Sequence, residues 1–249
     1  MARLTKWSEA RRALAYTLAI SIAFVLLLRG ELAFFDRVPG FRWMVDRGLV
    51  DRNSAADLAS EAARVAEESR PALERLPAST RRSSFRLGYE LAYAADLAGL
   101  VAMSSAASRE AARPFVERHL GAARELAAGL GLGDVTILSV ATLSDFSALN
   151  QRIDDDEDGV AARIEQRLSK VHRHLYLLGA HIGTEAARVD STGGELFAPE
   201  VLRIRRHATL AGVPAALWQA VGSAAGQTHA QTVTRFHAAV DALDASLAR

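Results

Sequence analysis

The sequence predicts an all-α protein, with one transmembrane helix near the N-terminus and then an antiparallel helical bundle or solenoid-like domain of about six or seven helices. Three observations lead to this prediction. Residues 13–28 form a run of 16 residues without a charged side chain. Beyond residue 53, apolar residues recur every three or four positions, which is the helical period, and strand-like alternation is missing. Hydrophobic residues make up 50% of the chain and only 6 of its 249 residues are proline, a composition that suits helices.

The charge-free run is expected to cross a bilayer within a span that we place at residues 13–29. As a helix it would be about 24 Å long, slightly less than the roughly 30 Å hydrocarbon core, and the flanking arginines can extend outward. The tail, residues 1–12, carries four cationic side chains against one carboxylate, so the positive-inside rule places it in the cytoplasm. The long domain is then periplasmic, at the inner membrane of a bacterium. A cleaved signal peptide is the rival interpretation, but no A-x-A site follows the run.

The linker at residues 30–52 is rich in aromatic side chains, and Pro39-Gly40 breaks any continuous helix there. One interpretation is an interfacial belt, in which the rings lie at the depth of the lipid headgroups. The other is a docking surface for a second integral-membrane subunit, because aromatic residues are favoured anchors in interfaces. The candidate partner-binding residues are Phe34, Phe35, Phe41 and Trp43.

The domain at residues 53–249 is predicted to begin with a helix whose apolar stripe runs from Leu58 to Leu76. Pro77 is expected to end it, since proline lacks the backbone N–H that a helix interior needs. Ser83 or Ser84 can cap the second helix, because a serine side chain accepts bonds from free N–H groups. This second helix is alanine-rich on most sides, which predicts a central, closely packed position.

The middle of the domain is predicted to hold three further helices. Pro114 is expected to open the third helix, which ends in the glycine-rich stretch 129–133. The fourth is expected to follow Asp134 and to continue to about Arg152. The clearest apolar stripe in the chain runs from Val160 to Val189, and it predicts one long amphipathic helix.

Two more helices are predicted in the C-terminal part. A short helix begins near Pro199, and the last helix runs from Pro214 to Leu247. Because short loops join the helices of the domain, neighbours are expected to pack in antiparallel pairs.

A weak internal repeat links the second and fifth predicted helices. Residues 85–91 align with residues 176–182, so that an aromatic residue, a Leu-Gly pair and an aliphatic residue recur at equal spacing. A glycine inside a helix is unfavourable by about 1 kcal/mol and usually has a packing reason. Gly88 and Gly179 therefore predict a close helix crossing within a duplicated helical unit. Chance similarity between two alanine-rich helices is the alternative.

Two short stretches resemble the signatures of a known group of proteins. Tyr93–Leu97 (YAADL) and Gly179–Gly183 (GAHIG) look like the paired motifs of an uncharacterised family of exported bacterial helical lipoproteins. The resemblance covers roughly residues 55 to 245. It implies a helical fold and export, and it implies no activity. The chain departs from that family in having a membrane helix where the family has a lipidated cysteine.

An acidic run matches the calcium-loop pattern D-x-[DN]-x-[DN]-G-x₅-E. The matching residues are Asp154, Asp156, Asp158, Gly159 and Glu165. The alternative is a helix N-terminus, where acidic side chains cap free N–H groups and interact well with the helix dipole. The apolar residues 160–162 favour this alternative, because they offer no side-chain ligand and continue a helical stripe.

Several histidines fall on two of the predicted helices. They are His172, His174 and His181 on the long helix, with Glu185 beyond them, and His229 and His237 on the last helix. A metal or haem site between these helices is one hypothesis. Surface or partly buried histidines are the simpler one, because neither H-E-x-x-H nor E-x-x-H occurs, and we assign no metal ligand and no cofactor.

The composition and the remaining motifs exclude several classes of chemistry. The chain has no cysteine, which excludes disulfides, thiolate metal sites and iron–sulfur clusters. Its 30 basic and 29 acidic residues give no cationic excess for binding nucleic acid. Residues 129–133 do not fit a dinucleotide-binding loop, and Ser223 does not lie in a G-x-S-x-G motif. The basic cluster Arg203–His207 is interpreted as a solvated face or as a contact with an acidic partner.

The expected function is a non-enzymatic accessory or scaffold subunit of a larger bacterial membrane complex, respiratory or photosynthetic. Its partners would be the lipid bilayer and integral-membrane protein subunits. The alternative is a membrane-tethered domain that binds a ligand or Ca²⁺ and acts as a sensor. A histidine-dependent metalloenzyme is a third, weaker hypothesis.

Overall fold

The structure is a computed structural model, and it describes residues 52–102, 104–132, 159–192 and 196–249. The chain divides into two compact units, Met1–Glu61 and Ala62–Arg249, and the packing described below lies within the second unit. The described residues form helices and turns and contain no strand, which confirms the all-α prediction.

Eight α-helices make up the described part of the chain. In order they are α1 (Arg52–Glu74), α2 (Ala78–Ala102), α3 (Ala106–Gly129), α4 (159–167), α5 (Lys170–Thr192), α6 (Ala198–Ala211), α7 (Ala215–Gly222) and α8 (His229–Leu247). The helix predicted at residues 134–152 lies outside the described residues.

Two helices begin earlier than the sequence predicted. The prediction that Pro114 opens the third helix is wrong, because α3 passes through this proline. The helix begins where the Ser105 side chain accepts a bond from a backbone N–H three residues on, at 3.1 Å. Similarly, α2 begins at Ala78, directly after Pro77, and not at Ser83 or Ser84. The capping hydroxyl of Ser105 therefore decides where α3 starts, whereas the start of α2 directly follows the proline.

Two long helices of the prediction are each broken in two, which is why the described residues hold eight helices. The predicted helix 160–189 is interrupted at residues 168–169, where the Ser169 hydroxyl caps the backbone at the start of α5. The predicted C-terminal helix is interrupted at residues 223–228, where Thr228 caps α8. In both places a capping hydroxyl starts a new helix although the apolar stripe continues across the break.

The close crossing predicted from the internal repeat is present between α2 and α5. A Cβ on Gly88 would overlap the carbonyl oxygen of Tyr176, and a Cβ on Gly179 would overlap the carbonyl oxygen of Phe85. Each glycine therefore receives the backbone of the other helix where any side chain would collide. The two contacts are reciprocal, because Phe85 and Tyr176 are themselves equivalent residues of the repeat.

This central pair runs parallel, whereas the antiparallel packing that the sequence predicts concerns helices joined by short loops. Gly179 lies against Phe85, and Gly183 lies against Tyr89, so the contact advances by one turn in the same direction on both helices. Further along, the Thr184 hydroxyl donates a hydrogen bond to Asp96 Oδ2 at 2.6 Å. The crossing thereby joins two helices that are far apart in sequence.

Each helix of the central pair also forms an antiparallel hairpin with the helix that follows it. In the first hairpin α3 packs on α2, and in the second hairpin α6 packs on α5. Both hairpins end in the same backbone motif. Leu132 N–H donates to Ala127 C=O at 3.0 Å, and Val213 N–H donates to Ala208 C=O at 2.9 Å. Each motif contains a glycine in the left-handed region, with φ of 67° and 76° respectively, as such helix ends require.

The core of the second unit consists of two apolar clusters, and both contain side chains of α2 and α5. The first cluster joins them to α3 and α4, and the second joins them to α1, α6, α7 and α8. Leu73 of α1 packs in the cluster with the second hairpin, whereas Ile164 of α4 packs in the cluster with the first. The helix that precedes each hairpin thus packs against the hairpin of the other half.

These contacts show a duplicated three-helix unit, α1–α2–α3 followed by α4–α5–α6. The alignment that pairs Gly88 with Gly179 also pairs Leu73 with Ile164, whose packing is exchanged between the two clusters. The internal repeat that the sequence analysis inferred is therefore also seen in the packing. Helices α7 and α8 complete the second cluster beside this duplicated unit.

Candidate functional site

The predicted partner-binding residues fall outside the structural description. Phe34, Phe35, Phe41 and Trp43 belong to residues 30–52, and the predicted span belongs to residues 13–29, so both remain predictions. Among the helices that the structure describes, none combines the length and the apolar character needed to cross a bilayer.

The second half of the calcium-loop pattern is helical. The chain is helical from Gly159, the first described residue of this stretch, and residues 160–165, which an EF-hand would need as loop, lie within α4. The Glu165 carboxylate accepts a hydrogen bond from Arg173 Nη1 at 2.9 Å. Asp154, Asp156 and Asp158 lie outside the described residues. The described half thus supports the interpretation as a helix N-terminus.

Each hairpin contains one acid–histidine pair at the same place. In the first hairpin Glu90 of α2 bonds His119 of α3. In the second hairpin His181 Nδ1 of α5 lies 2.9 Å from Glu200 Oε2 of α6. Glu90 and His181 are equivalent residues of the repeat, so the acid and the histidine have exchanged sides. Both pairs link the two helices of their hairpin.

The pair in the second hairpin is mostly buried and extends to an arginine. Glu200 is 5% exposed, and Arg203 Nη1 donates to its Oε1 at 2.6 Å. Burial opposes ionisation of Glu200, but the hydrogen bond and the charge of His181, followed by the charge of Arg203, outweigh it and hold the pKa of Glu200 below its usual value. Glu200 is therefore a carboxylate at neutral pH.

His181 of this pair also belongs to a row of three histidines between α5 and α6. The His207 ring lies 5.4 Å from the His174 ring and 5.3 Å from the His181 ring, and the Nδ1 atoms of His174 and His207 are 3.2 Å apart. Burial is the main cause that lowers the pKa of His174 to about 4 and that of His207 to about 3. Both rings are consequently neutral at neutral pH.

Two further residues of the histidine hypothesis, His172 and Glu185, make separate contacts. His172 is buried, and its Nδ1 lies 2.8 Å from the Ser169 hydroxyl. Glu185, which the sequence placed near His181, instead accepts bonds from Arg188 at 2.7 Å and from the Phe197 N–H at 3.0 Å. Over residues 52–132 and 159–249, apart from the undescribed positions within them, no three His, Asp or Glu side chains are placed to hold a metal ion.

A second polar cluster joins α2, α5 and α8 through one carboxylate. The Tyr93 hydroxyl donates to Asp190 Oδ2 at 2.9 Å, and His237 Nε2 lies 2.7 Å from Asp190 Oδ1. Burial opposes the charge on Asp190, but the hydrogen bonds from His237 and Tyr93 outweigh it and keep the pKa of Asp190 below its usual value. The same bond raises the pKa of His237, which favours its protonated form and an ion pair with Asp190.

A third polar contact ties α8 to the start of α2. Asp244 is 3% exposed and accepts bonds from Arg82 at 2.8 Å and from Arg86 at 2.9 Å. Burial opposes its ionisation, but the two guanidinium groups outweigh burial and hold the pKa of Asp244 below its usual value. Arg86 also lies over the ring of Tyr89, 5.6 Å from its centre. The carboxylate is thus a charged junction between the two helices.

Sequence reasoning identified some members of these clusters and missed the rest. It singled out His174, His181 and His237, but their partners His207, Asp190 and Glu200 lie elsewhere in the chain and follow no local spacing. The internal repeat was the one signal that could have placed Glu200, because it brings the second hairpin into register with Glu90 and His119.

The comparisons with known proteins give no relative. No family model, no curated protein and no solved structure matches the chain. The resemblance of residues 93–97 and 179–183 to exported helical lipoproteins stays a prediction. In the structure these two stretches lie side by side, since Asp96 bonds Thr184 next to Gly183.

Proposed function

We propose that the chain is a non-enzymatic accessory or scaffold subunit of a larger bacterial membrane complex. In this proposal residues 13–29 anchor the chain in the inner membrane, residues 1–12 remain in the cytoplasm, and the helical domain packs on the periplasmic face of its partners. Integral-membrane subunits would contact the aromatic residues Phe34, Phe35, Phe41 and Trp43.

The observation that carries the proposal is the way in which the domain uses its ionisable side chains. Asp190 ties together three helices, Asp244 ties α8 to α2, and the two acid–histidine pairs each close one hairpin. All of these charged groups serve helix–helix contacts. Together with the backbone contact at Gly88 and Gly179, they favour one fixed arrangement of helices, which suits a structural subunit.

Co-purification tests the proposal directly. The full chain, tagged at its C-terminus, is extracted from bacterial membranes in a mild detergent and analysed by native gel and mass spectrometry. We expect one discrete complex at fixed stoichiometry that contains integral-membrane subunits. A chain that migrates alone in every mild detergent would overturn the subunit role.

Variants of the aromatic linker sharpen this test. Phe41→Ala combined with Trp43→Ala is expected to lower the recovery of the partner subunits at least several-fold, because aromatic anchors dominate interface energies. Phe115→Ala is the matched control, since Phe115 is 51% exposed on α3 and lies in the helical domain. Equal recovery with both variants would contradict the assigned docking residues and would leave the subunit role standing.

The alternative function is a membrane-tethered ligand-binding or sensor domain. The observation that favours it is an open cleft in the first hairpin, lined by side chains of α2 and α3.

A further inference from the structure

The first hairpin contains a cleft between the N-terminal half of α2 and the C-terminal half of α3. Its volume is about 490 Å³, and it is open to solvent. Hydroxyl and guanidinium groups line the α2 wall, and mostly apolar side chains line the α3 wall. The residues that define it are Arg82, Ser83, Ala122, Glu125, Leu126 and Leu130.

Two residues that line the cleft have larger counterparts in the second hairpin. The repeat pairs Ser83 with His174 and, on the following helix, Leu126 with His207, and the two histidine rings lie 5.4 Å apart. His174 is only 7% exposed. Ala122, on the third helix of the first unit, is likewise paired with an arginine on the third helix of the second unit. At Ser83 and Ala122 the first half therefore carries smaller residues than the second half does.

One wall of the cleft presents a positioned guanidinium group. Arg82 donates through Nε and Nη2 to the Asp244 carboxylate, at 2.8 to 3.1 Å, and these bonds fix the plane of its guanidinium. Its side chain is 52% exposed, and Nη1 has no partner among the described residues. Arg86, by contrast, is 26% exposed and is held between Asp244 and Glu90. Arg82 is thus the residue best placed to donate to an anionic group in the cleft.

The opposite wall supplies the complementary features. Glu125 of α3 lines the cleft and is exposed, so its carboxylate can pair with a cationic group. Leu126, which is partly buried, and Leu130, which is 7% exposed, give this wall an apolar surface next to that carboxylate through the parts that the core leaves uncovered. A ligand that satisfies both walls needs an anionic group, a cationic group and an apolar portion.

We propose that this cleft binds a small zwitterion with an apolar side chain, of the amino-acid or short-peptide class. Arg82 holds the carboxylate of the ligand, Glu125 holds its ammonium group, and Leu126 and Leu130 contact its apolar part. The proposal goes beyond the scaffold role and depends neither on the membrane span nor on a partner subunit, so each can fail without the other.

The first experiment measures binding to the full chain in detergent by isothermal titration calorimetry. The probes are L-leucine and L-leucyl-L-leucine, together with isocaproate, which lacks the ammonium group, and isoamylamine, which lacks the carboxylate. We expect saturable binding of at least one zwitterion, at least tenfold tighter than of either single-charge analogue. Absence of saturable binding for both zwitterions, or equal affinity for an analogue, overturns the proposal.

Variants then locate the site. Ser83→His introduces the residue of the second hairpin and is expected to fill the cleft and weaken binding at least tenfold. Arg82→Gln and Glu125→Gln are expected to weaken it by a similar factor. The matched control is Arg206→Gln, since Arg206 is the exposed counterpart of Glu125 in the second hairpin.

Thermal unfolding checks that each variant is folded before it is titrated. Arg82→Gln also removes hydrogen bonds to Asp244. If this variant unfolds at a lower temperature, the titrations of Ser83→His and Glu125→Gln decide whether the ligand binds in the cleft. Unchanged affinity in both of these variants would show that the ligand binds elsewhere and would overturn the assignment of the cleft.

Discussion

A buried histidine and a partly buried one distinguish the second hairpin from the first at the level of single residues. His174 and His207 take the places of Ser83 and Leu126, and they share the space between α5 and α6. Burial is the main cause that disfavours their charged form. The charge of His181 is the next cause at His207, and Arg173 and Arg206 act in the same direction on both rings. At His174 Lys170 also lowers the pKa, whereas Glu165 raises it. His174 and His207 are therefore neutral side chains between α5 and α6, and their protonation would disrupt this contact.

Acid should destabilise the domain through these two residues. Their pKa values in the folded chain, about 4 and about 3, lie below the value near 6.5 of an unfolded chain. The unfolded state therefore binds protons first as the pH falls below about 6.5, and stability is lost from there down to the folded pKa values. Between about pH 7 and about pH 5 we expect a loss of about 1 kcal/mol per histidine, after allowing for partial screening.

Chemical denaturation at the two pH values, followed by circular dichroism, measures this loss. The variant His174→Ser/His207→Leu carries the residues of the first hairpin, and its stability should depend less on pH although its absolute stability can be lower. His229→Gln is the control, because His229 is exposed at the start of α8. An equally steep pH dependence in the double variant would contradict this account.

Two glycines determine the geometry of the central pair of helices. At the crossing of α2 and α5, Gly88 and Gly179 allow each backbone to approach the other without an intervening side chain. Asp96 and Thr184 then add a hydrogen bond further along the pair. The crossing positions both hairpins, since α3 packs on α2 and α6 packs on α5.

Adding one methyl group at the crossing should be costly. Gly88→Ala places a Cβ on the carbonyl oxygen of Tyr176 and against the backbone N–H of Ala180, neither of which can move without separating the helices. We expect a loss of about 2–4 kcal/mol in unfolding free energy. Gly121→Ala is the control, because no atom lies within 4 Å of a Cβ there, and it should stabilise α3 by up to about 1 kcal/mol. Equal effects of the two substitutions on denaturation midpoints would refute the close approach.

The sequence allowed this crossing to be predicted but not its direction. Gly88 and Gly179 stand out locally, because a glycine inside an apolar helix lowers helix stability unless a close contact requires it. The relative direction of the two helices depends on the path of the segments that connect them. No spacing of residues within either helix indicates that direction. The same limit explains the site, where His174 was identified but its partner His207 was not. It also explains the boundaries, where Ser169 and Thr228 started new helices within continuous apolar stripes.

The whole second unit is held together by elements that each serve both halves. Helices α2 and α5 contribute side chains to both apolar clusters, and α1 and α4 each cover the hairpin of the other half. Asp190 further ties α2 and α5 to α8. A duplicated unit with exchanged covering helices cannot open one half without exposing apolar surface of the other.

The two halves should therefore unfold together. Leu120→Ala removes a fully buried side chain from the first cluster, and we expect it to lower the global stability by about 2–5 kcal/mol. Under native conditions, hydrogen exchange of the slowest amides of α2–α3 and of α5–α6 should accelerate by the same factor, although the substitution contacts only the first cluster. Leu100→Ala is the control, because this side chain is 45% exposed. It should change the global stability, and the opening free energy of the slowest amides in either hairpin, by less than about 0.5 kcal/mol.

Faster exchange confined to α2–α3 in the Leu120→Ala variant would instead show two separately stable halves. That outcome is hard to reconcile with Leu73 of α1, which is 6% exposed and lies in the cluster of the second hairpin while its own helix leads directly into the first. Opening the first hairpin alone would disrupt both the packing of Leu73 and the Gly88–Gly179 contact. The exchanged packing of α1 and α4 thus makes a single cooperative transition the expected behaviour of the unit.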